Sequence, residues 1–176
     1  MTLLSQIQVS TVAQAIEFFR SSQGDWKSQR RYYTLTSPVD PQEVISYLQI
    51  RFLESDAPEL TELAQLHQIS NEFAGGSEVK WESNYVNQVR KLSQGLTIFG
   101  IKDNFLYRDR GFATSKPVKA IYTMPNSDTL CLRTEYNKSV FEEELKLVGN
   151  NYRTRQTIIS QAGEEQMIGQ YLETRL

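Results

Sequence analysis

Arginines that recur at alternate positions beside aromatic residues are the feature of this chain most open to chemistry. Trp26, Ser28, Arg30 and Tyr32 fall on one face of any strand drawn through them, because successive strand side chains point to opposite sides. If Trp26 faces an interior, so does Arg30, and a buried guanidinium is costly unless an anion meets it. Arg153 and Arg155 share a face by the same rule, roughly 6.5–7 Å apart along the strand. That spacing suits a grip on a carboxylate, with one of the two arginines paired to Glu135. The plain alternative for Arg30 is an ordinary arginine that pairs with a glutamate or caps a carbonyl, and for Arg153 and Arg155 a solvated charged face.

Glu135 is the acid/base candidate, and its alternative is a cross-strand salt bridge to Arg133 or Arg153. It shares a face with Cys131 and Arg133, while Leu130 and Leu132 take the other, and alternation does not choose between them. Trp81 alternates with Val79 and Tyr85, which fits core packing and a pocket wall equally. Tyr107 and Arg108 point to opposite faces, so at most one of them meets a ligand directly. Other chemistries find little support. With His67 and Cys131 the single histidine and cysteine, a zinc site or a Ser-His-Asp triad is close to excluded. Gly75-Gly76 lacks the lysine and spacing of a phosphate loop.

These residues need elements to position them. Hydrophobic residues make up 39% of 176, a balance that fits one globular domain over residues 1–176. A net charge of −2 leaves no basic footprint for nucleic acid and no polybasic membrane signal. The first residues lack the cationic start of a signal peptide, and the lone cysteine is compatible with a reducing compartment. Helical spacing predicts a helix over residues 11–22, capped by Thr11 and stopped near Gly24, and a second over residues 58–67, capped by Asp56. The rest reads as strands over residues 26–35, 44–53, 79–89, 95–101, 105–112, 118–124, 129–136, 141–148, 152–159 and 166–172. Short strands separated by tight turns indicate an antiparallel meander, which loses its exposed edges most simply by closing into a barrel.

A helix followed by Gly24-Asp25-Trp26 is the Gly-x-Trp opening of lipocalin-like barrels. Longer stretches narrow the likeness. Ser22-Gln23-Gly24-Asp25-Trp26-Lys27-Ser28-Gln29-Arg30, then Val79-Lys80-Trp81-Glu82-Ser83, Leu106-Tyr107-Arg108-Asp109-Arg110-Gly111-Phe112-Ala113, Thr134-Glu135-Tyr136 and Asn151-Tyr152-Arg153-Thr154-Arg155 stand in family order. In these blocks the chain resembles the S-type phycobiliprotein bilin lyases, the CpcS/CpeS family.

The resemblance implies a mostly β fold, a lipocalin/fatty-acid-binding-protein-like antiparallel barrel with an N-terminal helix and one short additional helix. It implies a lyase that binds a linear tetrapyrrole, phycocyanobilin or phycoerythrobilin, as substrate with no tightly bound cofactor or metal. The product is a thioether to a cysteine of an apo-phycobiliprotein subunit of phycocyanin, allophycocyanin or phycoerythrin type. Arg30, Arg153 and Arg155 then serve the propionates, Trp81, Tyr107 and Arg108 the pigment, and Glu135 its nitrogens. A homodimer, or a heterodimer with a paralogous subunit, is a further implication, as is a cytoplasmic or plastid-stromal location. A non-catalytic bilin carrier and a partner subunit of a heterodimeric lyase are the alternatives. The chain departs from the family pattern at Tyr32 and Tyr33, where histidines are usual, and at Glu144-Leu145-Lys146-Leu147-Val148, where an aromatic pair is usual.

Overall fold

The computed structural model describes residues 3–86 and 92–176, with side chains from Thr11 onward. Helix α1 spans Leu3–Ser21 and leads into β1 (Gly24–Thr34) and β2 (Gln42–Leu53). Helix α2 (Pro58–Leu66) precedes β3 (Gly75–Tyr85), β4 (Ser93–Lys102), β5 (Phe105–Arg108) and β6 (Val118–Asn126). β7 (Thr129–Tyr136), β8 (Ser139–Val148), β9 (Tyr152–Gln161) and β10 (Glu164–Arg175) complete the chain. Consecutive strands pair antiparallel, and β1 pairs with both β2 and β10, so the meander closes into a barrel without an edge. The expected fold class holds.

Period-two alternation decides what each strand turns inward. On β8, Phe141, Glu143, Leu145 and Leu147 are buried while Glu142, Glu144, Lys146 and Val148 are exposed. Two hairpins turn through residues of positive φ, Asn137 (51°) with Lys138 (61°) and Ala162 (52°) with Gly163 (84°). Successive left-handed residues match the right-handed twist of the flanking strands.

The barrel has a closed and an open end. Helix α1 inserts Ala15, Phe18 and Phe19 into one end, against Ile101, Leu106, Ala120 and Leu130. Trp26 is fully buried there and donates from Nε1 to the Ser22 carbonyl at 2.9 Å. Arg175 lies over its ring at 4.2 Å and donates to the Ser21 and Asn150 carbonyls, tying the last strand to the end of α1. Helix α2 packs outside the barrel, burying Leu60, Leu63 and Ala64 against Phe73, Ile98 and Tyr107. The other end is ringed by the loops over residues 35–41 and 109–117 and by the two tight hairpins. No described helix is long and apolar enough to cross a membrane.

Five local expectations are corrected. Helix α1 starts at Leu3, so Thr11 lies inside it; nothing in Leu3-Leu4-Ser5-Gln6-Ile7-Gln8-Val9 breaks a helix. Gly24 (φ 134°) opens β1 rather than ending the helix turn itself. The N-cap of α2 is Ala57, extended at ψ 135°, with no side-chain cap from Asp56; Pro58 in the first turn removes one N–H that would otherwise need an acceptor. Strand β5 stops at Arg108, and the remainder of the expected strand is loop. The third expected strand ends at Tyr85, and residues 87–89 of that expectation lie outside the described residues.

Candidate functional site

Above the Trp26 layer the barrel holds a cavity of about 690 Å³ that opens at the loop end. The size falls within the roughly 300–1,000 Å³ that suit drug-sized ligands. Its lining interleaves apolar side chains, among them Val44, Leu48, Leu132 and Leu145, with cationic ones, and Val44 stands opposite Arg30 and Leu145 opposite Arg155 in the strand register. Arg30, Arg108, Arg153 and Arg155 all reach the lining, as alternation on β1, β5 and β9 requires.

The counter-charges are fewer. Glu143 on β8 lies beside the Arg155 guanidinium and 3.9 Å from Arg108 Nη1, and its side chain is only 2% exposed. Arg153 Nε donates to Glu173 Oε1 at 2.7 Å, with both side chains buried. Arg30 donates to the Ser28 hydroxyl at 3.1 Å and lies over Tyr171, and forms no ion pair with a carboxylate among the described residues. Among the described residues, and setting aside Arg110 with its partner Asp109, four inward guanidinium groups therefore face two carboxylates, leaving two positive charges in excess. Arg108 Nε and Arg155 Nε are buried donors with no acceptor, and Glu173 Oε2 is a buried acceptor with no donor. Such orphans are expensive, and two of the three belong to residues that line the cavity.

Electrostatics follow burial and pairing. Burial works to raise the Glu143 carboxyl, but Arg155 and Arg108 outweigh it and hold it below the ordinary carboxylate range. Glu173 behaves alike: burial opposes its charge and Arg153 secures it. Burial pulls Arg108 down despite Glu143, whereas in Arg155 burial is overcome by Glu143 and the guanidinium is held above its usual value. Tyr171 is pushed up by burial, against the pull of Arg155. The site is thus a buried, charged network biased toward anions.

The sequence-based candidates divide cleanly. Arg30, Trp81, Arg108, Arg153 and Arg155 all line the cavity. Trp81 carries Arg110 over its ring at 5.4 Å, and Arg110 is itself 3.9 Å from Asp109, a neutralised pair at the mouth. Two candidates fall elsewhere. Glu135 is on the outer face, 62% exposed and 2.8 Å from Arg133, because Leu130, Leu132 and Thr134 occupy the inward positions of β7. The expected pairing of Glu135 with Arg153 is corrected with it: Arg153 pairs with Glu173. Tyr107 also faces out, buried under α2 edge-on to His67 (4.9 Å) and Phe73 (5.5 Å). His67 Nε2 in turn meets the Arg108 carbonyl at 2.9 Å, an inter-element clasp rather than a ligand site.

Sequence reading missed Glu143 and Glu173. Each sits at a two-residue interval among buried residues, Phe141 and Leu145 for one and Tyr171 for the other, and that is the signal that would have found them. The departures from the family pattern are also placed. Tyr32 lines the cavity, edge-on to Tyr171 at 5.7 Å, and Leu145 supplies apolar wall where an aromatic is usual.

Comparison with known proteins agrees with this geometry. The family model described as CpeS-like protein matches residues 14–176. A Nostoc sp. protein, provisionally named phycocyanobilin lyase CpcS 2, is 58% identical over 93% of this chain and 92% of its own. A Picosynechococcus sp. protein, provisionally named chromophore lyase CpcV, is 50% identical over 90% of this chain and 80% of its own. Among solved structures, the S-type phycobiliprotein lyase CPES from Guillardia theta superposes with a TM-score of 0.77 over 92% of both chains, at 22% identity, so the likeness is one of fold. With its meander closed by β1 against β10 and its family blocks in order, the chain belongs to the CpeS-like family, that of the S-type phycobiliprotein lyases.

Proposed function

We propose that this chain is a bilin lyase: it holds a linear tetrapyrrole, phycocyanobilin or phycoerythrobilin, in the barrel and joins it to a cysteine of an apo-phycobiliprotein subunit. The observation that carries the reading is the excess of two guanidinium charges in a flat-walled cavity, matched to a pigment with two propionates. Arg30, which forms no ion pair with a carboxylate among the described residues, receives one propionate, and Arg108 and Arg155, which also line the cavity, receive the other. Glu143, the one carboxylate among the described lining residues, takes the acid role first assigned to Glu135. Beside pyrrole N–H groups it stabilises the protonated pigment and gives the proton a place to rest.

The thiol then adds across the ring-A ethylidene group. Sulfur bonds to the exocyclic carbon and the proton passes to the ring, with no net oxidation or reduction and no metal or nucleotide required. The barrel's contribution is positioning and the exclusion of wrong adducts. Trp81 and Leu132 supply flat and apolar wall against which the rings lie. The cyanobacterial relatives accord with a cytoplasmic site of action.

The test is co-expression of this chain with bilin biosynthesis and candidate apo-subunits, scored by covalent pigment on a denaturing gel. Pigment on one subunit, absent when this chain is omitted, is the expected result. A shifted visible band with purified phycocyanobilin but no transfer would make it a carrier. Transfer only when a paralogue is added would make it a partner subunit. No band and no transfer would overturn the reading.

A further inference from the structure

The loop over residues 109–117 is hydrogen-bonded to the barrel at two points, and the second involves no ion pair. At its start, Asp109 Oδ1 accepts from the Thr97 hydroxyl at 2.6 Å and from the Ile98 amide at 3.0 Å, pinning the loop to β4. Further along, the Ala113 amide donates to the Tyr136 hydroxyl at 2.8 Å, across to the end of β7. Between these points Arg110, Gly111, Phe112, Ala113, Thr114 and Ser115 all line the cavity. The segment is a wall of the chamber at its mouth, and one hydroxyl holds its middle.

Tyr136 is built to be rigid. Its ring stacks on Phe141, with centroids 4.8 Å apart and planes within 15°, and Phe112 leans on the other part of Phe141 at 5.8 Å. Immediately after it the hairpin turns through Asn137 and Lys138, both at positive φ, a conformation that non-glycine residues adopt at a cost. Gly111 lies against the same ring: a Cβ there would come within 3.0 Å of Tyr136 Cζ and Oη and 2.7 Å of Thr114 Cγ2. The loop therefore sits in close contact with the tyrosine, and an added Cβ would have to displace the Thr114 methyl and crowd the ring.

Resting on the bilin-binding reading above, we infer that Tyr136 is a positioning residue whose hydroxyl fixes the 110–115 wall and thereby sets how long the pigment is retained before transfer. It touches no reacting atom. Loss of the hydroxyl frees the wall while leaving the ring stack and the arginine network in place.

Tyr136→Phe and Gly111→Ala, alone and combined, test this by release of bound phycocyanobilin into an excess of a scavenging protein. Removing one hydrogen bond predicts release about three- to tenfold faster in Tyr136→Phe. The melting temperature should stay within a few degrees of the parent, and the Ala113 amide should exchange hydrogen faster. Gly111→Ala pushes the same wall from the other side, so the double variant should release no faster than the faster single. Should Gly111→Ala fail to fold, Tyr136→Phe alone decides. A parent that holds the pigment, beside a Tyr136→Phe variant with unchanged release or unchanged Ala113 exchange, overturns the inference and leaves the binding reading intact. A parent that never holds phycocyanobilin sinks both.

Discussion

Glu143→Gln removes the carboxylate that lines the cavity while keeping its shape and an acceptor oxygen. A pigment nitrogen 4 Å from that charge would feel about 4 kcal/mol at an effective dielectric of 20, and one at 8 Å about 2 kcal/mol. At 1.36 kcal/mol per pH unit, the protonation midpoint of bound phycocyanobilin should fall by about 1.5–3 units, toward the lower figure because Arg108 and Arg155 flank the charge. A pH titration of the visible band in the parent, Glu143→Gln and Glu135→Gln reads this directly. Glu135→Gln, on the outer face, should titrate like the parent. The substitution also leaves Arg108 and Arg155 without a counter-charge, a loss of about 3–5 kcal/mol. At about 2–4 °C per kcal/mol for a chain of this length, melting should drop by at least about 6 °C, so titrations belong well below that point. Equal midpoints in all three proteins would refute the assignment of Glu143 to the pigment nitrogens. A shift in Glu135→Gln alone would restore the outer carboxylate and undo the argument from burial.

Tyr107→Ala empties a site between β5 and α2 and should cost about 3–5 kcal/mol in denaturant melts. The bilin dissociation constant should stay within about twofold, since Tyr107 faces away from the cavity. Arg153→Met strands a buried Glu173 and should destabilise by a similar amount, about 3–5 kcal/mol, whereas adding Glu173→Leu should recover most of it. A double variant as unstable as the single would show that the ion pair is not the cause. Acid should unfold the protein through Glu143 and Glu173. Their folded values are depressed, so their contribution is complete above the ordinary carboxylate value of about 4.3 and is lost as pH falls through the lower folded values. Thermal melts from pH 6 down to pH 3 should therefore be flat at first and then drop, and a melting temperature indifferent to pH below about 4 would contradict the network. In alkali the sign reverses for Tyr122, pushed up to about 12 by burial: its contribution is whole below the ordinary tyrosine value of about 10 and lost as pH rises through 12.

Much of this molecule could be read from alternation alone. The inward rows Trp26, Ser28, Arg30, Tyr32 and Arg153, Arg155, Thr157 follow from period two once one member is known to be buried. Closure followed from the number of short strands and the tight turns between most of them. Helix limits did not follow, because Thr11 and Asp56 are good capping residues that the chain does not use as caps: helix continues through one, and Ala57 with Pro58 displaces the other. The choice between two carboxylates failed for a different reason. Glu135 was singled out by its motif, yet its neighbours two residues away, Arg133 on one side and a tight turn on the other, already described a solvated face. Glu143 was passed over although its row reads Phe141, Glu143, Leu145, Leu147, an acid in an otherwise apolar face. A carboxylate in that setting must meet a cation inside the fold or lose its charge, so the sequence demanded inward arginines opposite it. Arg155 is its direct cross-strand diagonal, since Leu145 pairs with Arg155 and Glu143 with Thr157 in the β8–β9 register. The row that looked least like a motif was thus the one whose chemistry the barrel had to satisfy, and the two surplus guanidinium groups around it are what remain for a dianionic ligand.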